Sequence, residues 1–344
     1  MIKAAVTAIE FHLPDQVLTN DDLAAEFPEW PIDKIFDKTG IETRHIAAPG
    51  ETAADLARQA ALKMFAGGAA KAEEIDFLIL CTQAPDYLLP TTACLLQEAL
   101  GIPVTAGALD INLRCSGFVY GLGLAKALVE TGQARAVLLL TADTYSRFIH
   151  PGDKSVRSLF GDGAAATLVR AVPRSLTPID ALIYGTDGKG AKNLIVTTGG
   201  ARQARTPQTA SVSQDSNGNL RAPDNLYMNG QEIFTFTLRA VPKLVKDVLA
   251  KADISMASVT HFVMHQANAY MLEAIRKKLE IPADRFCVMV RHCGNTVSST
   301  IPIALKTLAQ SGKLKAGENV LIAGFGVGYS WAGAMLIWDE DFHG

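Results

Sequence analysis

Residues 110–132 read DINLRCSGFVYGLGLAKALVETG, and the plan of the 344-residue chain unfolds from them. An extended DINL leads to Cys115. A run of helical composition follows and stops at Thr131-Gly132. Residues 293–312, CGNTVSSTIPIALKTLAQSG, repeat that plan and stop at Ser311-Gly312. Cys115 and Asn295 each lie 17 residues before the closing glycine. The two therefore occupy equivalent places, each just ahead of a helix.

Further anchors keep the same order and nearly the same spacing. Thr82-Gln83-Ala84 resembles His265-Gln266-Ala267, Leu100-x-Ile102-Pro103 resembles Leu279-x-Ile281-Pro282, and Val137–Leu140 resembles Val320–Ala323, at offsets of 179 to 183. An offset near half the chain is what an internal duplication requires. The reading is two similar halves, 1–172 carrying Cys115 and 173–344 carrying His265 and Asn295. Apolar segments at 74–80, 136–142, 166–172, 260–265 and 319–325 alternate with helical segments. That rhythm predicts a mostly parallel sheet covered by helices on both faces. Residues 199–227 lack periodicity and read as a long loop, a candidate lid.

Composition narrows the function classes. Hydrophobic residues make up 49% and charged residues 19%, enough for a large core. Thirty-two basic and 35 acidic side chains give a net charge of −3, with no basic footprint for nucleic acid and no polybasic run for a membrane. Five cysteines without a CxxC pair suggest neither a disulfide framework nor a metal site. Residues 320–338 are uncharged and long enough to tempt a membrane reading. Gly324, Gly326, Gly328 and Gly333 interrupt them, so two buried strands around a glycine turn are expected. The apolar run before Glu10 is too short for a signal-peptide core, and a cytoplasmic protein is expected.

Three residues stand at strand ends or helix starts that pseudo-symmetric halves bring to one centre. Cys115 at a helix N-terminus is expected to have a lowered pKa, favouring thiolate; it is also a residue type common in cores. His265 follows an apolar strand and precedes a helix. A neutral imidazole there can donate to an oxyanion or exchange a proton with Cys115, or simply cap. Asn295 can donate its amide N–H to an oxyanion without titrating, or serve as a turn and cap. Asp162, in FGDG, reads as structural.

DINLRCSGFVYGL (110–122), HQAN (265–268), HCGNTVSSTIP (292–302) and GFGVGYSWAG (324–333), in that order, resemble β-ketoacyl-acyl-carrier-protein synthase III and its relatives in the thiolase superfamily. TGIETRHIA (39–47), ETAADLARQAA (51–61), CLLQEALGIP (94–103) and FGDGAAA (160–166) also match, so the resemblance covers nearly the whole chain. It implies an α/β, five-layered αβαβα fold made of two similar halves, usually a homodimer. It implies transfer of an acyl group from an acyl thioester, on coenzyme A or a carrier protein, to Cys115. Malonyl-carrier then undergoes decarboxylative Claisen condensation, assisted by His265 and Asn295. The backbone N–H groups of Cys115 and Val327 form the oxyanion hole. No cofactor is implied beyond the thioester substrates.

The resemblance places Lys34, Lys38, Lys154 and Asn268 on substrate-binding positions. It puts Met228 and Phe234 on the acyl-pocket wall, and Leu89 on a loop that reaches the partner's pocket. Lys34 stands where a coenzyme-stacking tryptophan is usual, with Trp30 four residues earlier. Lys154 falls on a basic coenzyme clamp, Tyr270 on a carrier-docking arginine, and Arg114 where a small residue is typical. These departures favour a specialised acyl pathway over primary fatty-acid synthesis. Competing readings are a non-decarboxylating acyltransferase on the same scaffold, an inactive carrier-binding partner subunit, and a papain-like hydrolase, which the half-chain repeat disfavours.

Overall fold

Two mixed sheets enclose a middle layer of helices. The computed structural model describes residues 2–173 and 179–338. The first sheet holds β1 (Lys3–His12), β2 (Phe77–Cys81), β3 (Gly107–Ile111), β4 (Ala136–Asp143) and β5 (Gly163–Val172), in spatial order β1-β5-β4-β2-β3. The second holds β6 (Ile179–Thr186), β7 (His261–Met264), β8 (Asn319–Gly326) and β9 (Ser330–Ile337), in order β6-β9-β8-β7. In both sheets the order along this path is antiparallel, antiparallel, then parallel. A parallel bridge from Phe262 to Phe286 marks where the second sheet would take its counterpart of β3.

The sheets are mixed rather than mostly parallel, which corrects the expectation. β8 and β9 are joined through Val327–Tyr329, too short a link for anything but an antiparallel return. β4 reaches β5 through irregular chain and a single helical turn, Lys154–Arg157, not a packed crossover helix. Alternation of element types therefore located β2, β4, β5, β7 and β8 but not their sense, and it missed β1 and β6.

The α-helices of eight or more residues among the described residues are α1 (Ile32–Thr39), α2 (Ala53–Ala66), α3 (Thr92–Ala99), α4 (Gly117–Glu130), α5 (Gly230–Ala252), α6 (Ala269–Lys278) and α7 (Thr300–Gln310). α4 packs against both sheets, and α7 lies beside it against β1 and β7. α2 and α3 cover the outer face of the first sheet; α5 and α6 cover that of the second. The three largest cores are a central one around Phe118, Leu122, Ile301 and Leu305, and one under each outer helix pair. β4 is buried at every position, which is why AVLLLTAD reads as an apolar run without alternation.

Residues 320–338 form two paired strands, with registry running from Gly326–Ser330 to Asn319–Ile337. No helix among the described residues is long and apolar enough to cross a membrane. Within 199–227, Ser213–Gln214 pairs with Leu220–Arg221. The Leu220 amide donates to the Gly152 carbonyl (3.0 Å), and Arg221 lies 3.5 Å from Asp153. The segment is thus pinned beside the Lys154–Arg157 turn, and none of its residues lines the cavity that holds Cys115.

Candidate active site

Cys115, His265 and Asn295 line one cavity of about 250 Å³. Each is nearly inaccessible to solvent, at 4%, 2% and 5% exposure. The elements that bring them there are the ends of β3, β7 and β8 and the starts of α4 and α7. A larger cavity of about 490 Å³, beside Asp22, Arg147 and Arg157, contains none of the three.

Cys115 sits in the turn between β3 and α4, where the Gly117 amide donates to the Arg114 carbonyl (2.6 Å). The end of β8 lies against it. A Cβ on Gly326 would stand 3.1 Å from both Cβ and Sγ of Cys115, and one on Gly324 would meet its carbonyl. Only glycine allows that approach. Ser116 Oγ and Ser330 Oγ, 2.7 Å apart, tie the start of α4 to β9. Burial pushes the Cys115 thiol up to about 11, Arg114 pulls it down, and the buried Asp143 opposes that pull. The direction is opposite to the expected lowering: desolvation outweighs the neighbouring cation.

His265 follows β7 and its amide donates to the Ala323 carbonyl of β8 (2.8 Å). Its ring meets Phe325 edge-on at 5.5 Å. Nδ1 lies 2.7 Å from Thr300 Oγ1. Burial, reinforced by Arg114, holds the imidazole down at about 3, so it is neutral throughout the ordinary pH range. Gln266 fixes this corner: Nε2 donates to the Met264 (2.7 Å) and Cys287 (3.3 Å) carbonyls, and Oε1 accepts from the Met289 amide (2.7 Å).

Asn295 enters from the segment before α7; its amide donates to the Leu159 carbonyl (2.9 Å). Oδ1 accepts from the Val297 amide (2.9 Å), which leaves the side-chain NH₂ as the free donor. Asn268 does the same at α6: Oδ1 caps the Met271 amide (2.8 Å).

Met228 and Phe234 also line the cavity, and Phe234 stacks on the exposed Tyr270 at its rim (5.5 Å). Val327 lies one residue past Gly326, partly buried against the cluster that contains Cys115. Lys34 and Lys38 are exposed on α1, outside the lining. Lys154 is outside it too, with its ammonium 2.6 Å from Glu29. Trp30 is buried against Leu23 and Ile35, so it does not stand in as an exposed stacking surface. Leu89 is 86% exposed, away from the cavity, beside the equally exposed Leu88. Asp162 is structural: it accepts from the Ala47 and Ser146 amides (2.8 and 2.9 Å). Thr300 and Asp143 escaped the sequence reading, since their contacts are made only across the assembled core.

Comparison with known proteins follows the same lines. The family model described as 3-oxoacyl-[acyl-carrier-protein (ACP)] synthase III matches residues 109–188, and its C-terminal companion matches 249–338. The β-ketoacyl-[acyl-carrier-protein] synthase III of Caldanaerobacter subterraneus is 34% identical over 98% of this chain and 99% of its own. A crystal structure of a 3-oxoacyl-(acyl-carrier-protein) synthase III is 56% identical, with a TM-score of 0.97 over 98% of this chain and all of that one. The Burkholderia xenovorans 3-oxoacyl-(acyl-carrier protein) synthase is 38% identical, with a TM-score of 0.89 over 98% and 94%. Likeness of this extent, on a thiolase-like fold of two similar halves, places the chain in the β-ketoacyl-[acyl-carrier-protein] synthase III family of condensing acyltransferases of fatty-acid biosynthesis.

Proposed function

We propose that Cys115 is the acyl-accepting nucleophile and that His265 and Asn295 assist decarboxylation. The observation that carries this is their convergence on one buried cavity. In the first half-reaction Cys115 Sγ bonds to the carbonyl carbon of an acyl thioester. The donor's C–S bond breaks, and the thiol proton leaves with the released coenzyme A or carrier thiol. The backbone N–H groups of Cys115 and Val327 hold the developing oxyanion, and each such donor contributes about 3–4 kcal/mol. In the second, malonyl-carrier loses CO₂. The enolate oxygen receives hydrogen bonds from His265 and Asn295, and its carbon attacks the acyl-Cys115 carbonyl; the acyl–Sγ bond breaks, the Cys115 thiolate takes a proton from solvent, and the β-ketoacyl-carrier leaves.

The neutral imidazole suits a donor role. Thr300 Oγ1 lies between Nδ1 (2.7 Å) and the Val297 carbonyl (3.2 Å); the donor role requires its O–H to turn to Nδ1, which puts the ring proton on Nε2. Lys34 and Lys38, one turn apart on α1, are proposed to meet the phosphates of the thioester donor. α1 packs on α6 near Asn268: the Cβ of Ala269 closes directly on Gly40. Asn268 is assigned to the pantetheine arm, and Met228 and Phe234 to the acyl wall. Lys154 reaches the donor only by leaving Glu29. The division at 172/173 is supported by the matched strand orders, although it adjoins 174–178, and 339–344 also fall outside the described residues. A homodimer covering Tyr87, Leu88 and Leu89 is supported by their exposure of 61%, 88% and 86%.

Intact mass after incubation with acyl thioesters tests the reading. A single acyl adduct is expected, absent in Cys115→Ala. Added malonyl-carrier should discharge it with CO₂ release and a β-ketoacyl product. Transfer without CO₂ release would instead identify an acyltransferase, and no adduct with any donor would refute the covalent mechanism.

A further inference from the structure

Arg114 is the one arginine among the described residues that line the cavity, and its surroundings differ from those of the other two cations buried in the core, Arg44 and Lys306. It is 1% exposed, and none of Nε, Nη1 and Nη2 has a hydrogen-bond partner among the described residues. The guanidinium carbon lies over Tyr145, 3.8 Å from the ring centroid, and 5.2 Å from that of Phe160. Stacking of that kind attracts the cation to the ring faces but leaves the in-plane N–H groups free. Compare Arg44, which is fully buried: it donates to the Ser158 carbonyl (2.9 and 2.5 Å) and to Asn20 Oδ1 (2.5 Å). Lys306, also 1% exposed, pairs with Glu10 at 2.6 Å. The buried carboxylate in this neighbourhood, Asp143, is committed elsewhere, accepting from the Gln83 amide (2.9 Å) and Ser298 Oγ (2.7 Å). A buried guanidinium without acceptors is costly, and such groups persist where a ligand completes them.

We infer that Arg114 receives a carboxylate carried on the acyl group itself, so that the preferred acyl donor is the monothioester of a short dicarboxylic acid. The inference rests on the proposed acylation of Cys115. The rest of the wall is largely apolar, with Leu159, Phe160, Leu194 and Phe325 among its residues, and no carboxylate lines it, so a carboxylate that meets Arg114 from the cavity enters with the substrate. The malonyl carboxylate does not fit that role. A cation clamped on it would stabilise the ground state relative to departing CO₂ and slow the step. The cavity of about 250 Å³ has room for a short acyl chain beside Cys115. The transfer itself is unchanged: Sγ gains the acyl carbon and the donor thiolate takes the proton.

Acylation of the full chain by glutaryl-CoA is compared with valeryl-CoA, and succinyl-CoA with butyryl-CoA, following the adduct by intact mass with Cys115→Ala as the blank. The carboxylated donor of each pair should react about ten- to a hundredfold faster, the discrimination a charged hydrogen-bond partner provides. Arg114→Met should bring that ratio to one or below, and Arg114→Lys should retain part of it. The wild-type ratios decide the matter even if a variant does not fold. Equal or faster transfer from the neutral donors overturns the inference and leaves the covalent reading intact. Absence of any adduct from any donor overturns both.

Discussion

At Cys115, burial and charge act in opposite directions. The thiol sits near 11 in spite of Arg114 beside it, so below that pH it is mostly protonated and its thiolate fraction rises about tenfold per pH unit. Alkylation by iodoacetamide, followed by mass, should therefore climb steadily from pH 7 to pH 9.5. A plateau below pH 8 would show a thiolate already formed. His265 has the opposite constraint: near 3, its neutral form persists across the same range, so its donor capacity does not fade with pH. What can fade is the tautomer. Thr300→Val removes the hydroxyl on Nδ1 and is expected to slow malonyl decarboxylation about tenfold, a fraction of the loss of a full oxyanion donor. Acylation should change little. Equal slowing of the two half-reactions would show that Thr300 only supports the fold.

Among the elements, α4 is the most tightly constrained, because its first turn abuts the end of β2. A Cβ on Gly117 would run into Cys81 Sγ. Gly117→Ala should lower stability by about 1–3 kcal/mol in urea unfolding, and Cys81→Ala added to it should recover most of that loss. Simple additivity of the two changes would place the strain elsewhere. The positions of β2, β4, β7 and β8 and of the helices between them were legible in the sequence, since buried runs and helix stops are local signals. So were the helix starts that follow Cys115 and Asn295, whose ends two glycines mark. Strand sense was not legible. It depends on whether the chain between β4 and β5 forms a crossover helix, and no local pattern states that. Nor was the partner of His265, which is decided by how α7 lies against β7. The direction of the Arg114 side chain is set by the 114–117 turn and the aromatic rings of Tyr145 and Phe160 around it. Lys154, legible as a cation, is drawn to Glu29 by tertiary placement alone.

For the whole molecule, Tyr87, Leu88 and Leu89 form an apolar knuckle that a second copy can cover. Leu89→Asp is expected to shift sedimentation from dimer to monomer at micromolar concentration; a wild-type monomer would sink the dimer reading. The matched order of the two sheets has a different consequence. In the repeat, Thr82 holds the place of His265, and Asn295 holds the place of Cys115. Two identical half-chains paired about a twofold axis would present the same residue on both sides of the cavity, thiol facing thiol or amide facing amide. A cavity lined by one thiol, one imidazole and one carboxamide requires the copies to be joined and free to diverge. Asymmetry, rather than size, is then what doubling the chain brought to the chemistry.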